Sequence, residues 1–255
     1  MADENPIAGF FGEHFKELRQ RVIVSFVAVM IFTGVAYLFA EQISFFLMKP
    51  IFAAEPSLSG LVYTNLTEAF VSYLKISVLA GLGAGFPVFC YELWMFVGPG
   101  LKRHEKRLAL TVTFWATILF GAGVLFAYFI ALPRILSFFM SFSGEQLSAM
   151  PRLDAYLTFV ARTSLAFGLA FEIPFLMMAA GRTGILDRGY FIEKRWLSYL
   201  GILVLSFLLT AGDFLGAFLL ALPLFVLYES GIILLFIFSG KKKVKEAPES
   251  KDLAG

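Results

Sequence analysis

Long apolar stretches alternate with short, polar, turn-rich segments along most of the chain. An α-helix needs about 20 mostly apolar residues to cross the roughly 30 Å hydrocarbon core of a bilayer. The pattern therefore predicts an all-α integral membrane protein with one six-helix membrane domain at residues 22–238. The predicted membrane-spanning helices cover residues 22–40, 68–97, 108–132, 154–182, 196–209 and 214–238, with loops at 41–67, 98–107, 133–153 and 183–195.

The predicted spans differ in length. The fifth would reach only about 21 Å at 1.5 Å per residue, whereas the second would reach about 45 Å. Only the turn-forming residues 210–213 separate the fifth span from the sixth. Spans two, four and six each contain an internal proline, namely Pro87, Pro174 and Pro223. Proline removes a helical hydrogen bond, so we expect kinks and a concave bundle, with short fifth and sixth helices.

Residues 1–21 predict a cytoplasmic segment built around an amphipathic helix. Asn5 is a suitable N-cap, with Pro6 at the first helical position. Apolar residues then follow at the i, i+3, i+4 spacing of one helical face, and polar residues occupy the opposite face. We interpret residues 6–20 as an interfacial helix that lies on the membrane before the first span. The alternative is that these residues simply extend the first span.

Basic residues are distributed unevenly between the two sides of the predicted bundle. Lys and Arg accumulate on the cytoplasmic side of membrane proteins. With the N-terminus inside, cytoplasmic segments hold 16 of the 21 Lys and Arg residues, while the outer loops hold only Lys49, Arg134 and Arg152. We therefore predict that both termini lie in the cytoplasm. We expect residues 239–255 to form a basic, disordered tail that contacts anionic membrane lipid.

Composition supports a lipid environment and makes several functions improbable. The chain has 255 residues and is 59% hydrophobic and 16% charged, whereas a soluble domain carries about 25% charged residues. There is a single cysteine, Cys90, and only two histidines, far apart in sequence, so we expect neither a disulfide nor a metal site. Because a phosphate-binding glycine loop and a nucleophile–histidine arrangement are both missing, we expect no enzyme activity and no cofactor. A net charge of +2 gives no reason to expect nucleic-acid binding.

Glu172 lies well inside the fourth predicted span, between Phe171 and Pro174. An ionisable group at that depth is costly unless it is paired, protonated or hydrated, so it indicates a functional role. A protonated carboxyl could donate a hydrogen bond to a partner helix. The alternative is a hydrogen bond that packs helices within the bundle.

Two carboxylates lie among cations on the predicted cytoplasmic face. Glu17 is followed by Arg19 and Arg21, and Glu105 is flanked by four basic residues. The simplest interpretation is exposed salt bridges, which contribute little to stability. The same carboxylates could instead bind a ligand with adjacent guanidinium groups, because Arg–carboxylate pairs are bidentate and directional. The residues alone leave both alternatives open.

Several short motifs occur in order along the chain. They are His14-Phe15-Lys16-Glu17-Leu18-Arg19, Trp94-Met95-Phe96-Val97-Gly98-Pro99-Gly100-Leu101, His104-Glu105-Lys106-Arg107 and Phe171-Glu172-Ile173-Pro174. Together with Pro50 and Asp213, these motifs resemble the TatC family, the multi-span core subunits of the twin-arginine protein translocase. The resemblance extends from His14 to the end of the sixth span. One departure is Glu92, where the family commonly has Gln.

The resemblance implies roles that the residues alone left open. TatC proteins recognise the paired arginines of signal peptides on folded cargo, and Glu17, Arg19, Phe96 and Glu105 match positions of that recognition surface. Glu172 matches an intramembrane glutamate that faces the concave groove, where a partner helix or the inserted signal peptide can meet it. The short fifth and sixth spans match the docking region for the single-span partners TatA and TatB.

The resemblance also implies a setting and a mechanism. It implies the bacterial cytoplasmic (inner) membrane, self-association, and export of folded proteins driven by the protonmotive force without nucleotide. Pro50 and Asp213 match structural positions on the periplasmic side. Two rival functions are a small-solute secondary transporter, which would usually have an internal repeat that we do not find, and a scaffold without receptor function. The scaffold hypothesis predicts that neutralising Glu17 and Glu105 changes only expression or folding.

Overall fold

The computed structural model describes residues 6–56, 58, 60–65, 67–97, 103–142, 150–183, 188–210 and 214–238. Within these ranges the chain is almost entirely helical, with nine α-helices and one π-helical turn. The elements are α1 (Pro6–Leu38), α2 (Ala40–Ala54), α3 (Glu68–Val97), α4 (Arg103–Phe126), the π turn (Ala127–Ala131), α5 (Leu132–Met140), α6 (Leu153–Thr183), α7 (Arg188–Glu193), α8 (Arg195–Leu209) and α9 (Phe214–Phe238). The predicted all-α class is confirmed.

Five described helical segments are long and apolar enough to cross a membrane, and α8 is a shorter apolar helix. The five segments are Phe15–Leu38, Glu68–Phe96, Ala109–Met140, Leu153–Ala180 and Phe214–Ile237. The short fifth helix is confirmed, because the 15 residues of α8 reach only about 22 Å. The prediction of a short sixth helix is wrong. The apolar run of α9 continues for 25 residues, or about 37 Å, and its internal Pro223 does not end it.

The first helix differs from the prediction. A single helix, α1, runs for 33 residues from Pro6 to Leu38, so a separate interfacial helix at residues 6–20 is wrong and the alternative, an extension of the first span, holds. The physical reason is local. Residues 15–33 contain neither Gly nor Pro, so nothing interrupts the helical hydrogen bonds at the predicted junction.

The third span also extends beyond its predicted end at residue 132. The apolar segment continues to Met140, because α4 passes through the π turn into α5. Pro133 lies in the first turn of α5. Proline has no N–H to donate, and in an α-helix its ring clashes with the carbonyl four residues earlier. Directly before Pro133, the helix widens into the π turn at Ala127–Ala131. Pro133 therefore does not end the helical segment formed by α4, the π turn and α5.

Two short helices, α2 and α7, lie in segments that the sequence predicts as loops. The hydroxyl of Tyr128 donates a hydrogen bond to the carbonyl of Phe46 at 2.6 Å, and that of Tyr156 donates to the carbonyl of Leu47 at 2.9 Å. These bonds attach α2 to the π turn and to α6. Side-chain hydrogen bonds from distant parts of the chain thus hold a helix that the local sequence does not indicate.

Two helix pairs approach closely at glycines. A Cβ atom on Gly81 of α3 would lie 2.7 Å from the backbone nitrogen of Thr33 in α1. A Cβ atom on Gly123 of α4 would lie 2.5 Å from the carbonyl oxygen of Phe167 in α6. Small residues let membrane helices pack backbone to backbone. The helix α6 is central, because it contacts α3, α4, α8 and α9.

Polar contacts fix which helix ends lie together. Arg21 lies in the middle of α1, near the beginning of its apolar segment Phe15–Leu38, and pairs with Glu92 near the end of α3. Lys75 and Asp154 join α3 and α6 near their starts. In the pair formed by α8 and α9, Arg195 at the start of α8 lies 3.2 Å from Glu229 in the second half of α9. We call the end of the bundle that contains Arg21 the Arg21 end. The predicted concave shape of the bundle stays a prediction.

Candidate functional site

The central feature of the Arg21 end is a guanidinium between two carboxylates. Arg21 donates from Nε and Nη2 to Oε1 of Glu17, at 3.1 and 2.5 Å. It also donates from Nη1 to Oε2 of Glu92, at 3.0 Å. Glu17 lies one helical turn before Arg21 on α1, and Glu92 comes from α3. We call Glu17, Arg21 and Glu92 the Arg21 cluster.

The cluster is only partly shielded from solvent. The side chain of Glu17 is 36% exposed, that of Arg21 19% and that of Glu92 16%. Arg21 uses one oxygen of each carboxylate, so Oε2 of Glu17 and Oε1 of Glu92 have no hydrogen-bond partner among the described residues. Both carboxylates line a cleft of about 490 Å³ together with Lys16, Gln20 and Val24. The cleft therefore presents unused acceptors for a cationic ligand.

An apolar groove of about 460 Å³ continues from the cluster between α1 and α3. Arg21, Glu92 and Phe96 line its charged end. The rest of its wall is mainly apolar and includes Phe26, Met30 and Leu82, among others. Phe96 is half-buried there, whereas Arg19 is exposed on α1. Among the predicted recognition residues, the fold thus brings Glu17, Arg19 and Phe96 to the same end of the bundle.

Glu105 lies near the start of α4, but its side chain is outside the part of the chain that the structure describes. The position of its backbone follows from the packing of α4 against α3. The rings of Phe86 on α3 and Phe120 on α4 stack with centroids 4.1 Å apart, and Cys90 on α3 interacts with Thr113 on α4. The two helices are therefore antiparallel, so α4 begins beside the end of α3. That order puts Glu105 at the Arg21 end.

The sequence reasoning missed the joint role of Arg21 and Glu92. The spacing of Glu17 and Arg21, four residues apart on one helix, is a signal of a side-chain pair. Nothing in the local sequence points to the contact between Arg21 and Glu92, which are 71 residues apart. That contact depends on the close approach of α1 and α3.

Glu172 is buried, with 6% of its surface exposed. Its Oε1 atom has no hydrogen-bond partner among the described residues, and the carboxyl lies near the backbone of Phe120 on α4 and the thiol of Cys90 on α3. Cys90, which lies near Glu172, and Glu92 of the Arg21 cluster are two positions apart and so lie on different faces of α3. Glu172 therefore belongs to the interior of the bundle and not to the Arg21 cluster. Its contact with a partner helix stays a prediction.

The structure describes only one of the two predicted periplasmic positions, Pro50 and Asp213. Pro50 is buried inside α2. Asp213 lies outside the described residues. Within the described ranges, the structure holds no group of three or more His, Cys, Asp or Glu side chains that could bind a metal ion.

The comparison with known families decides the assignment. The profile of the family described as "Sec-independent protein translocase protein (TatC)" matches residues 13–223, most of the chain. The chain belongs to the TatC family. As a TatC family member with several membrane-length apolar helices, it is a component of the Sec-independent protein translocase and a multi-pass membrane protein.

Individual TatC proteins match along almost their whole length. The TatC protein of Desulforapulum autotrophicum is 39% identical over 246 residues, which are 95% of this chain and 91% of that protein. The TatC protein of Aquifex aeolicus is 35% identical over 240 residues, 91% of this chain and 96% of that protein. A crystal structure described as the twin-arginine translocase receptor TatC matches with a TM-score of 0.81 at 34% identity, covering 89% of this chain and 100% of that one.

Proposed function

We propose that this TatC protein is the core subunit that binds the paired-arginine signal peptides of folded cargo at the cytoplasmic face. In this proposal it also scaffolds the single-span subunits TatA and TatB for export driven by the protonmotive force. The proposed location is the bacterial inner membrane, with six spans and both termini in the cytoplasm. The description of a similar crystal structure as a twin-arginine translocase receptor supports the receptor role.

The order of the helix ends supports the proposed topology. At the Arg21 end, the apolar segment of α1 begins beside the end of α3, and α3 and α6 begin together at the opposite end. With α8 counted as a short sixth crossing, α1 would begin and α9 would end on the same side. The bias of Lys and Arg toward the predicted cytoplasmic segments agrees with that arrangement.

The observation that carries the receptor proposal is the Arg21 cluster itself. Its geometry already binds one guanidinium between two carboxylates that line a cleft, and one oxygen of each carboxylate has no hydrogen-bond partner among the described residues. A ligand arginine makes the same kind of bidentate, directional contact. Glu17, Arg19, Phe96 and Glu105 are the proposed recognition residues, because they lie at this end of the bundle on α1, α3 and α4.

The remaining residues have proposed roles away from the recognition cleft. The buried carboxyl of Glu172 would contact a partner helix or the inserted signal peptide during transport. The short helix α8 would locally thin the bilayer and so favour docking of single-span partners at α8 and α9. Pro50 and Asp213 would support the periplasmic structure.

The test is binding of a labelled signal peptide to the purified protein in detergent. Peptides with adjacent Arg-Arg and with Lys-Lys are compared on the wild type, on a Glu17→Ala, Glu105→Ala double variant, and on Glu193→Ala as an exposed-carboxylate control. We expect the wild type and the control to prefer Arg-Arg and the double variant to lose that preference, because lysine keeps the charge but lacks the guanidinium fork. Equal binding of both peptides by all three proteins would contradict the receptor proposal.

A further inference from the structure

We propose that Glu92 is a specificity-determining residue that binds one of the ligand's guanidinium groups together with Glu17, with Arg21 as the fixed group between the two carboxylates. This inference rests on the proposed function and deepens it. It assigns a direct ligand contact to α3, in addition to the contacts expected from α1 and from the start of α4.

The first argument is the charge of the cluster. Glu17 and Glu92 carry two negative charges, and Arg21 supplies one positive charge at hydrogen-bond distance from both. One negative charge is therefore unbalanced within the cluster. Lys16 also lines the cleft, but its side chain is exposed and forms no ion pair with either carboxylate. If residue 92 were a neutral glutamine, Arg21 would neutralise Glu17 completely, and the cluster would offer no net attraction to a cation.

The second argument is the number and burial of the acceptor atoms. Arg21 occupies Oε1 of Glu17 and Oε2 of Glu92, which leaves the second oxygen of each carboxylate without a hydrogen-bond partner among the described residues. The side chain of Glu92 is only 16% exposed, so its charge is less screened by water than that of a surface carboxylate. Arginine can donate to two acceptors in a fixed planar geometry, which the ammonium group of lysine cannot do. Glu92 should therefore contribute to the discrimination between the two.

The third argument is the position of Glu92 between the polar cleft and the apolar groove. Its side chain lines both the polar cleft with Glu17 and the apolar groove with Phe96 between α1 and α3. A secretory signal peptide has a positively charged stretch followed by about 7–15 apolar residues. A guanidinium bound at Glu92 would place the following apolar residues at the entrance of the groove.

The experiment measures peptide affinity in detergent for the wild type, Glu92→Gln and, as a matched control, Glu193→Gln. Glutamine has the same shape as glutamate and can still accept the hydrogen bond from Arg21, so the contact between α1 and α3 is retained. We expect Glu92→Gln to weaken binding of the Arg-Arg peptide about tenfold, with a smaller effect on Lys-Lys and none for the control. Raising the ionic strength should reduce the difference between wild type and Glu92→Gln.

Peptides with a single arginine, Arg-Lys and Lys-Arg, separate direct contact from an indirect effect. If Glu92 binds one particular arginine, Glu92→Gln will weaken binding of the peptide that keeps that arginine more than binding of the peptide that has lysine there. An equal loss for all four peptides would mean that Glu92 acts only by positioning α1, and would overturn the inference. So would unchanged Arg-Arg affinity in Glu92→Gln. If the wild type itself shows no preference for Arg-Arg, the proposed function fails instead.

Discussion

The close approach of α1 and α3 at Gly81 gives a sharp test of the packing. In a Gly81→Ala variant the new methyl group would lie 2.7 Å from the backbone nitrogen and 2.8 Å from the Cα atom of Thr33. Both are backbone atoms, so no change of side-chain rotamer can relieve the contact. Non-bonded heavy atoms have their optimal separation at about 3.5–4.0 Å, so α1 would have to move away by about 0.7–1.3 Å.

The expected cost follows from this displacement. Inserting a methyl group into a well-packed contact costs about 1–3 kcal/mol. For a chain of this size, that loss corresponds to a fall in melting temperature of roughly 2–12 °C. A methyl group on Gly34, also in α1, would have no atom within 4 Å, so Gly34→Ala is the matched control. Both substitutions gain the same helix propensity, about 0.5–1 kcal/mol, which cancels when the two variants are compared.

Thermal unfolding of the purified variants in one detergent, followed by the fluorescence of the three tryptophans, measures the difference. The heating rate must be the same for all samples, because membrane proteins often unfold irreversibly and the apparent melting temperature then depends on the rate. We expect Gly34→Ala to melt at or slightly above the wild-type temperature and Gly81→Ala to melt clearly below it. If Gly81→Ala is as stable as Gly34→Ala, the inferred backbone contact between α1 and α3 is wrong.

Two further predictions concern the buried polar groups. Tyr199→Phe removes the hydroxyl that donates to Oε1 of Glu229 at 2.5 Å and should cost about 1–2 kcal/mol in thermal stability. Tyr190→Phe, at an exposed tyrosine, should cost nothing, and equal melting of the two variants would refute the role of this bond. Glu172→Ala should leave signal-peptide binding unchanged, because Glu172 is buried in the interior of the bundle and is not part of the Arg21 cluster. The same variant should reduce export of a folded cargo into inverted membrane vesicles, and full export would contradict a functional role for this carboxyl.

The errors of the sequence-based prediction have local causes. The third span was predicted to end at residue 132, but the π turn before Pro133 allows the helix to continue to Met140. Residues 6–20 have an amphipathic pattern that is typical of an interfacial helix, yet they join the first span without a break. In both cases the pattern indicated a helix correctly and misplaced its boundary, because hydrophobicity says little about where helical hydrogen bonds stop.

The candidate site could be predicted only in part. The charged motifs identified Glu17, and their order identified the side of the membrane on which we expect it. The sequence did not connect Glu17 to Glu92, since Glu92 has no distinctive local pattern. The link is Arg21, whose guanidinium contacts a carboxylate from each of two helices.

The sequence by itself determined the all-helical class, the lipid environment and the approximate extent of the long apolar helices. Each of these depends on the transfer of consecutive residues from water to lipid, which is a local property that adds up along the chain. Only the tertiary structure decided which polar side chains meet. The contact between Arg21 and Glu92 joins residues 71 positions apart, and it forms where α3 packs on α1, helices that lie backbone to backbone at Gly81. Helix packing decides such contacts, and no local pattern of apolar and polar residues encodes which helices pack together.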